Sequence, residues 1–335
     1  MMGLAGINSD MPEHESNQRL NQIALTIGNF DGVHVGHCAL VGRCREMVGA
    51  RAQTGGKVIA LAFSPHPMTT LNPEHAPGAI EPIEVRIERL IAAGADEVVE
   101  LEPTPELLSM SAQGFVDHVI DEYQPAVIVE GHDFRFGNRR AGNPTVLKEL
   151  ASVRGVEVQI VPGVEVALTD QSIVKASSTM ARWLIAHGRV RDAGFVLGRP
   201  HELIGTVVQG DQLGRQIGFR TANLKTESML PCDGVYGVVV VLPDGTEFGG
   251  AMNIGARPTV DGIERRAEVH VFDADGAPWM PDEGFPEYGW EIRVKMIGWV
   301  RDQIKFASVD VLSEQLGRDV VRAYGMVQGM MVEIV

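Results

Sequence analysis

The sequence predicts two modules in one chain of 335 residues. The first is an α/β module with a parallel sheet. The second is a small antiparallel β-barrel followed by a C-terminal helix. Three observations carry this. The first half alternates short apolar runs with stretches of helical period, the pattern of βαβ units. From Gly198 onward the helical period gives way to short strand-like runs punctuated by glycine. The last segment turns helical again. Length alone suggests two domains.

The elements follow in order. Residues 1–20 read as a flexible tail, 21–188 as the first module and 189–335 as the second. IALTIGNF (23–30) is a buried strand, residues 37–53 a helix, and KVIALAF (57–63) a strand. VRIERLIAAG (85–94) is a helix, EVVEL (97–101) a strand, and AQGFVDHVIDEY (112–123) a helix. AVIVEG (126–131) is a strand, residues 143–155 a helix, VEVQIVP (156–162) a strand, and residues 178–188 a last helix. In parallel sheets of this kind, ligands sit beyond the carboxyl ends of the strands. ELIGTVVQG, GVYGVVVVL, FGGAMNIG, RAEVHVFD and WEIRVKMIGWV supply the barrel strands, and residues 308–325 the closing helix.

Composition narrows the function. With 44 acidic against 29 basic residues the formal net charge is −15. That disfavours a nucleic-acid or anionic-membrane surface, since phosphate backbones select basic faces. Three cysteines without a CxxC argue against a disulfide framework or structural zinc. The N-terminal stretch lacks the basic and apolar regions of a signal peptide, and no apolar run reaches the ~20 residues of a membrane span. The expectation is a soluble cytoplasmic protein.

GNFDGVHVGH (28–37) carries three glycines and two histidines between a strand and a helix. Such a turn offers backbone N–H groups and the positive end of a helix to an anion. His34 and His37 can donate hydrogen bonds to phosphate oxygens. A surface turn with two solvated histidines is the plainer alternative. HVGH resembles the HxGH signature of nucleotidyltransferases related to class I aminoacyl-tRNA synthetases. The resemblance implies a Rossmann-like module that binds ATP and directs attack on its α-phosphorus. KASSTMAR (175–182) fits the second motif of such enzymes. Ser178 and Thr179 could cap the helix and contact phosphate, and Arg182 could clamp it. A plain helix cap is an equal reading of that stretch.

Taken in order, GNFDGVHVGH, FSPHP, GHDFRFGNRRAGN and SSTMAR resemble the N-terminal module of the bifunctional prokaryotic riboflavin kinase/FAD synthetase family. GTVVQGDQLGRQIGFRTANL, PCDGVYGV, MNIGARPTVDG, AEVHVFD and RDQIKF resemble its riboflavin kinase module. The resemblance implies ATP, riboflavin and FMN as substrates, with Mg2+. It places Glu268 as the base that activates the riboflavin hydroxyl and Thr221 and Asn223 as metal ligands. His34, His37 and Arg182 stabilise the α-phosphate. Gly28, Phe30, Asp31, Gly36, His66, Pro67, Asp133 and Phe136 shape the ATP and flavin pockets, with Phe134 beside them. Gly210, Arg215 and Arg301 belong to the kinase module's binding loops. Apart from the family, Glu268 reads as an exposed strand glutamate, Asp31 as a turn cap, and Phe134 and Phe136 as core.

The chain departs from the family pattern at Arg220, where proline is usual before Thr221, and at Gln303, where glutamate is usual. The loop between Asp273 and Tyr288 is longer than usual. All three fall in the kinase half. A monofunctional FAD synthetase with a degenerate kinase module, and a flavin- or nucleotide-binding regulatory protein, are the alternatives to a bifunctional enzyme. Adenylylation of tRNA is disfavoured by the charge. The oligomeric state is not legible.

Overall fold

The structure is a computed structural model that describes residues 23–51, 56–210, 219–259, 262–279 and 286–333. The expected tail, Arg215 and the centre of the 274–287 loop lie outside the described residues. The chain forms two compact units. One takes in the segments up to Phe30, His37–Pro77 and Ile87–Gly163; the other takes in Asp31–Gly36, Gly78–Arg86 and the rest from Val164.

The first unit is built on a sheet of β1 (Ile23–Gly28), β2 (Lys57–Phe63), β3 (Glu97–Leu101), β4 (Val127–Gly131) and β5 (Glu157–Val161). All neighbours are parallel and the order is β3-β2-β1-β4-β5. The longer helices of this part of the chain are α1 (Val35–Arg51), α2 (Ile83–Ala92), which begins in the second unit, α3 (Ala112–Tyr123) and α4 (Pro144–Val153). Strands such as IALTIG and KVIALAF are apolar nearly throughout because a parallel sheet is covered on both faces. Helix starts follow local chemistry. Ser111 caps α3 by accepting from the Gly114 N–H, and Asn143 caps α4 by accepting from Thr145 and Val146. Leu25, Ile59, Leu61, Phe115, Ile128 and Leu147 form the core.

The strand order reverses between β1 and β4, which is where such sheets open a ligand crevice. Glu130 is the penultimate residue of β4. It is 1 % exposed, and its Oε1 accepts from the Ile27 N–H at 2.7 Å. Burial pushes its carboxyl well above the usual range, the Ile27 N–H opposes this, and Asp133 adds to the rise. A folded state that holds the proton more tightly than the unfolded chain loses stability as pH rises from the unfolded value through the folded one. Glu130→Gln keeps an acceptor for Ile27 and carries no charge. It is expected to match the parent near pH 4 and to melt at a higher temperature at pH 8, as thermal denaturation at the two pH values would record.

The second unit contains a short hairpin, β6 (Glu165–Ala167) with β7 (Ile173–Lys175), two helices, α5 (Ser178–Ala186) and α6 (Val190–Leu197), and the barrel. Ile80, Leu168, Ala181, Leu184, Ile185 and Val196 pack hairpin and helices together. The hairpin and α6 are additions to the elements expected from sequence.

The barrel is closed, in the order β10-β11-β12-β9-β8-β13. Its strands are β8 (His201–Val208), β9 (Ala222–Thr226), β10 (Gly234–Val241), β11 (Glu247–Thr259), β12 (Gly262–Phe272) and β13 (Glu291–Arg301), with every neighbour antiparallel. Leu203, Val238, Met252, Ile254, Val269 and Val294 fill its interior. β10 is buried on both faces because the last helix, α7 (Val309–Glu333), covers its outer side. A Cβ at Gly237 would lie 3.1 Å from Met326 Sδ, so glycine there allows the close approach. Arg301 fixes the helix by donating from Nε and Nη2 to the buried Asp319. α7 runs past the expected end at Gly325. Burial of Val327 on the barrel offsets the ~1 kcal/mol that each helical glycine costs.

Candidate active sites

In the first unit, the expected residues cluster at carboxyl ends of strands. Gly28 ends β1, His66 and Pro67 follow β2, and Asp133 follows β4. Phe30 is fully buried with φ of 49°, and its ring meets His37 edge to face at 5.1 Å. A Cβ at Gly28 would touch that ring at 3.3 Å, so the glycine makes room for it. His37 lies in the first turn of α1, where backbone N–H groups are unsatisfied within the helix. His66 Nδ1 accepts from the Met68 N–H at 3.1 Å, which in the neutral ring places the proton on Nε2. Phe136 stacks on Phe134 at 5.4 Å and tilts against Phe115 at 5.8 Å. Phe136 is buried and belongs to the core.

In the second unit, the turn 31–36 is held by side chains distant in sequence. Asp31 is buried; its carboxylate accepts from the Ile80 N–H at 3.0 Å and from Arg182 Nη2 at 2.5 Å. Arg182 also donates from Nε to the Gly78 carbonyl at 2.8 Å. Ser178 Oγ donates to the Asp31 carbonyl at 2.7 Å. The expected capping by Ser178 and Thr179 is corrected here. Ser177 is the N-cap and accepts from the Met180 N–H at 3.1 Å, because α5 starts at Ser178, one residue earlier than a Ser178 cap requires. Thr179 is exposed in the first turn. His34 is buried, and its Nδ1 accepts from the Gly36 N–H at 3.1 Å.

Sequence reading missed Arg199. Its guanidinium donates to the carbonyls of Gly32 at 2.7 Å and Val33 at 2.9 Å, and pairs with Glu81 at 3.2 Å. It thus holds the turn from more than 160 residues away. The only local signal is the left-handed Gly198 that ends α6 and turns the chain.

The barrel brings a second set together. Register pairs Glu268 on β12 with Asn223 on β9, so both side chains lie on one face of the ladder. Thr221 is exposed just before β9. Gly210 follows β8, and a Cβ there would fall 1.9 Å from Asn223 Nδ2, so only glycine lets the two approach. A cavity of about 130 Å3 is lined by Gly210, Arg220, Thr221, Asn223, Trp279 and Trp290, among others. Glu268 is not in its wall. Asn223 Oδ1 is buried without a hydrogen-bond partner among the described residues. A hard cation fits this amide oxygen and a neighbouring hydroxyl. Arg301 is engaged by Asp319, as described. Gln303 packs over Gly255, where a Cβ would meet its amide at 2.1 Å.

A parallel-sheet module bearing an HxGH turn, joined to a closed six-stranded barrel bearing Thr-Ala-Asn and a strand glutamate, defines a two-module protein. Residues 16–178 match the FAD synthetase family model and residues 197–327 the riboflavin kinase family model. The chain belongs to the bifunctional riboflavin kinase/FMN adenylyltransferase family. It is 32% identical over 314 residues to the Haemophilus influenzae member, covering 92% of this chain and 96% of that one. It is 33% identical to the Escherichia coli K12 member, covering 89% and 91%, and 32% identical to the Pseudomonas fluorescens member, covering 96% and 97%. Among solved structures, a Streptococcus pneumoniae protein described as a macrolide-efflux protein superposes with a TM-score of 0.78 at 32% identity, covering 89% of this chain and 92% of that one. No helix among the described residues is long and apolar enough to cross a membrane.

Proposed function

We propose that this chain makes FAD from riboflavin in two ATP-dependent steps, one in each module, with the functional boundary at residues 188/189. The observation that carries the kinase half is the cross-strand pairing of Glu268 with Asn223, whose buried Oδ1 has no partner among the described residues.

In the kinase step the terminal hydroxyl of riboflavin attacks the γ-phosphorus of ATP. A new O–P bond forms, the bond to the bridging oxygen breaks, and ADP leaves. A primary alcohol is a weak nucleophile, so Glu268 takes its proton. Thr221 and Asn223 would hold Mg2+, which neutralises charge on the ATP phosphates. Gly210 keeps the Asn223 amide in place by leaving it room.

In the second step a phosphate oxygen of FMN attacks the α-phosphorus of ATP and pyrophosphate leaves. This nucleophile is already an anion and needs no base. Catalysis is positioning and charge stabilisation. The backbone N–H groups at the start of α1, with His34 and His37, supply donors. Arg182, held by Asp31, supplies positive charge beside the 31–36 turn. His66, Pro67 and Asp133 lie at strand ends, where a flavin or nucleotide would sit. Gly28, Phe30, Gly36, Ser178 and Thr179 are further candidate ATP and flavin residues, and Arg215 is a candidate of the kinase loops. The substrates are small molecules. Cytoplasmic residence is part of the proposal, supported by the absence of any CxxC among three cysteines in the sequence.

The test is incubation of the purified protein with riboflavin, ATP and magnesium, with chromatography of the products. FMN is expected first and FAD after it. FAD from supplied FMN, with no FMN from riboflavin, would leave a monofunctional synthetase. No product from either substrate would leave a binding protein without turnover.

A further inference from the structure

Arg220 stands where the family resemblance expects proline, and proline would have stiffened the approach to Thr221. The structure restrains this point through a different residue. His270 lies two residues beyond Glu268 on β12, so it shares that face of the strand. It is 6 % exposed. Its Nδ1 lies 2.8 Å from the carbonyl oxygen of Arg220. A carbonyl only accepts, so Nδ1 carries the proton and donates. The ring of Phe219 meets the same imidazole edge to face at 5.4 Å. One side chain therefore holds both residues that precede Thr221.

The ladder register explains why a clamp is needed there. β12 and β9 pair through Ala267–Leu224, Glu268–Asn223 and Val269–Ala222, and pairing then stops. Asn223 is thus located by the sheet itself. Thr221 falls one position beyond the last pair, where continued pairing would set it opposite His270. At that position the imidazole reaches over to the Arg220 carbonyl and takes the place of the missing ladder bond.

We propose that His270 is a positioning residue for the kinase step: by donating from Nδ1 to the Arg220 carbonyl it ties the segment carrying Thr221 to the strand carrying Glu268. The metal-binding hydroxyl and the base are then set at a fixed separation by one strand. This rests on the kinase reading of the barrel. His270 touches neither substrate nor metal in this account; it acts through the backbone of Arg220.

The experiment compares His270→Ala and His270→Asn in the full chain. The Asn amide nitrogen can occupy the place of the imidazole Nδ1 and donate to the same carbonyl. Three quantities are read: Mg·ADP affinity by calorimetry, the magnesium dependence of FMN formation with kcat and KM separated, and FAD formation from supplied FMN. In the parent protein, 15N NMR is expected to show His270 protonated at Nδ1. For His270→Ala, Mg·ADP affinity and kcat for FMN formation are expected to fall about 10–100-fold, the range for residues that orient metal ligands. KM for riboflavin moves far less. His270→Asn recovers most of the loss. FAD formation from FMN is unchanged in both, which reports an intact fold elsewhere. Unchanged Mg·ADP affinity in His270→Ala, equal loss in both variants, or a parent imidazole protonated only at Nε2 would each overturn the proposal. Absence of FMN formation in the parent would instead remove the kinase reading, and the binding and NMR readouts would still decide the role of His270.

Discussion

Glu268→Gln is expected to lower FMN formation from riboflavin by about 10²–10⁴-fold, the usual worth of a positioned general base. FAD formation from supplied FMN is expected to stay at the parent level. The substitution keeps the side chain's size, so packing against the β9 ladder is preserved. It removes the one property the first step requires, a carboxylate able to accept the hydroxyl proton. The adenylylation step starts from an anion and has no use for that carboxylate. The two rates are measured separately, by supplying riboflavin in one reaction and FMN in the other. Thermal denaturation of the variant should stay close to the parent's, because glutamine keeps the length and shape of the side chain. Equal loss in both reactions would show that Glu268 does not divide the steps.

His37→Ala is expected to give the opposite pattern. FAD formation from FMN should fall about 10²–10³-fold, the scale for removing one donor to a developing oxyanion. FMN formation from riboflavin should be unaffected. Alanine is the strongest helix former, so the first turn of α1 persists without the ring. Its loss also removes the edge contact with Phe30, and some change in melting temperature is expected. A fall in kcat with KM for ATP little changed would identify a contact made in the transition state. A rise in KM alone would place His37 in ground-state binding.

Much of the fold was legible because the elements are locally consistent. AQGFVDHVIDEY reads as a helix from its period, and α3 spans those twelve residues. KVIALAF reads as a buried strand and is β2. What escaped was short or depended on distant partners. β6 and β7 have three residues each and are formed by pairing with one another, which no period reveals. The end of α7 was misread because Gly325 and Gly329 signal a stop locally, while contact with the barrel continues the helix. The serine run before α5 contains the cap, but Ser177 and Ser178 differ in role only through the Asp31 carbonyl, far away in the chain.

The site shows the same division. The family resemblance implies roles for Thr221, Asn223 and Glu268, yet only the ladder register shows that Glu268 and Asn223 are paired across strands. Asp31 reads from the sequence as a turn cap and, by the family resemblance, as a pocket residue. Its carboxylate is now seen to hold Ile80 and Arg182. Arg199 and His270 act on backbone carbonyls, at sequence separations of 167 and 50 residues, and such contacts leave no trace in a motif. The glycines were legible as turns, but not the particular close approach that Gly210 makes to Asn223.

The central claim is that two separate sites in one chain act in series through FMN. The direct measurement mixes Glu268→Gln with His37→Ala in one reaction containing riboflavin, ATP and magnesium. Neither variant alone should form FAD at more than a small fraction of the parent rate. The first cannot make FMN, and the second accumulates it. Together they should restore FAD formation, because FMN released by one is adenylylated by the other. Substantial FAD from either variant alone, or none from the mixture, would contradict the account.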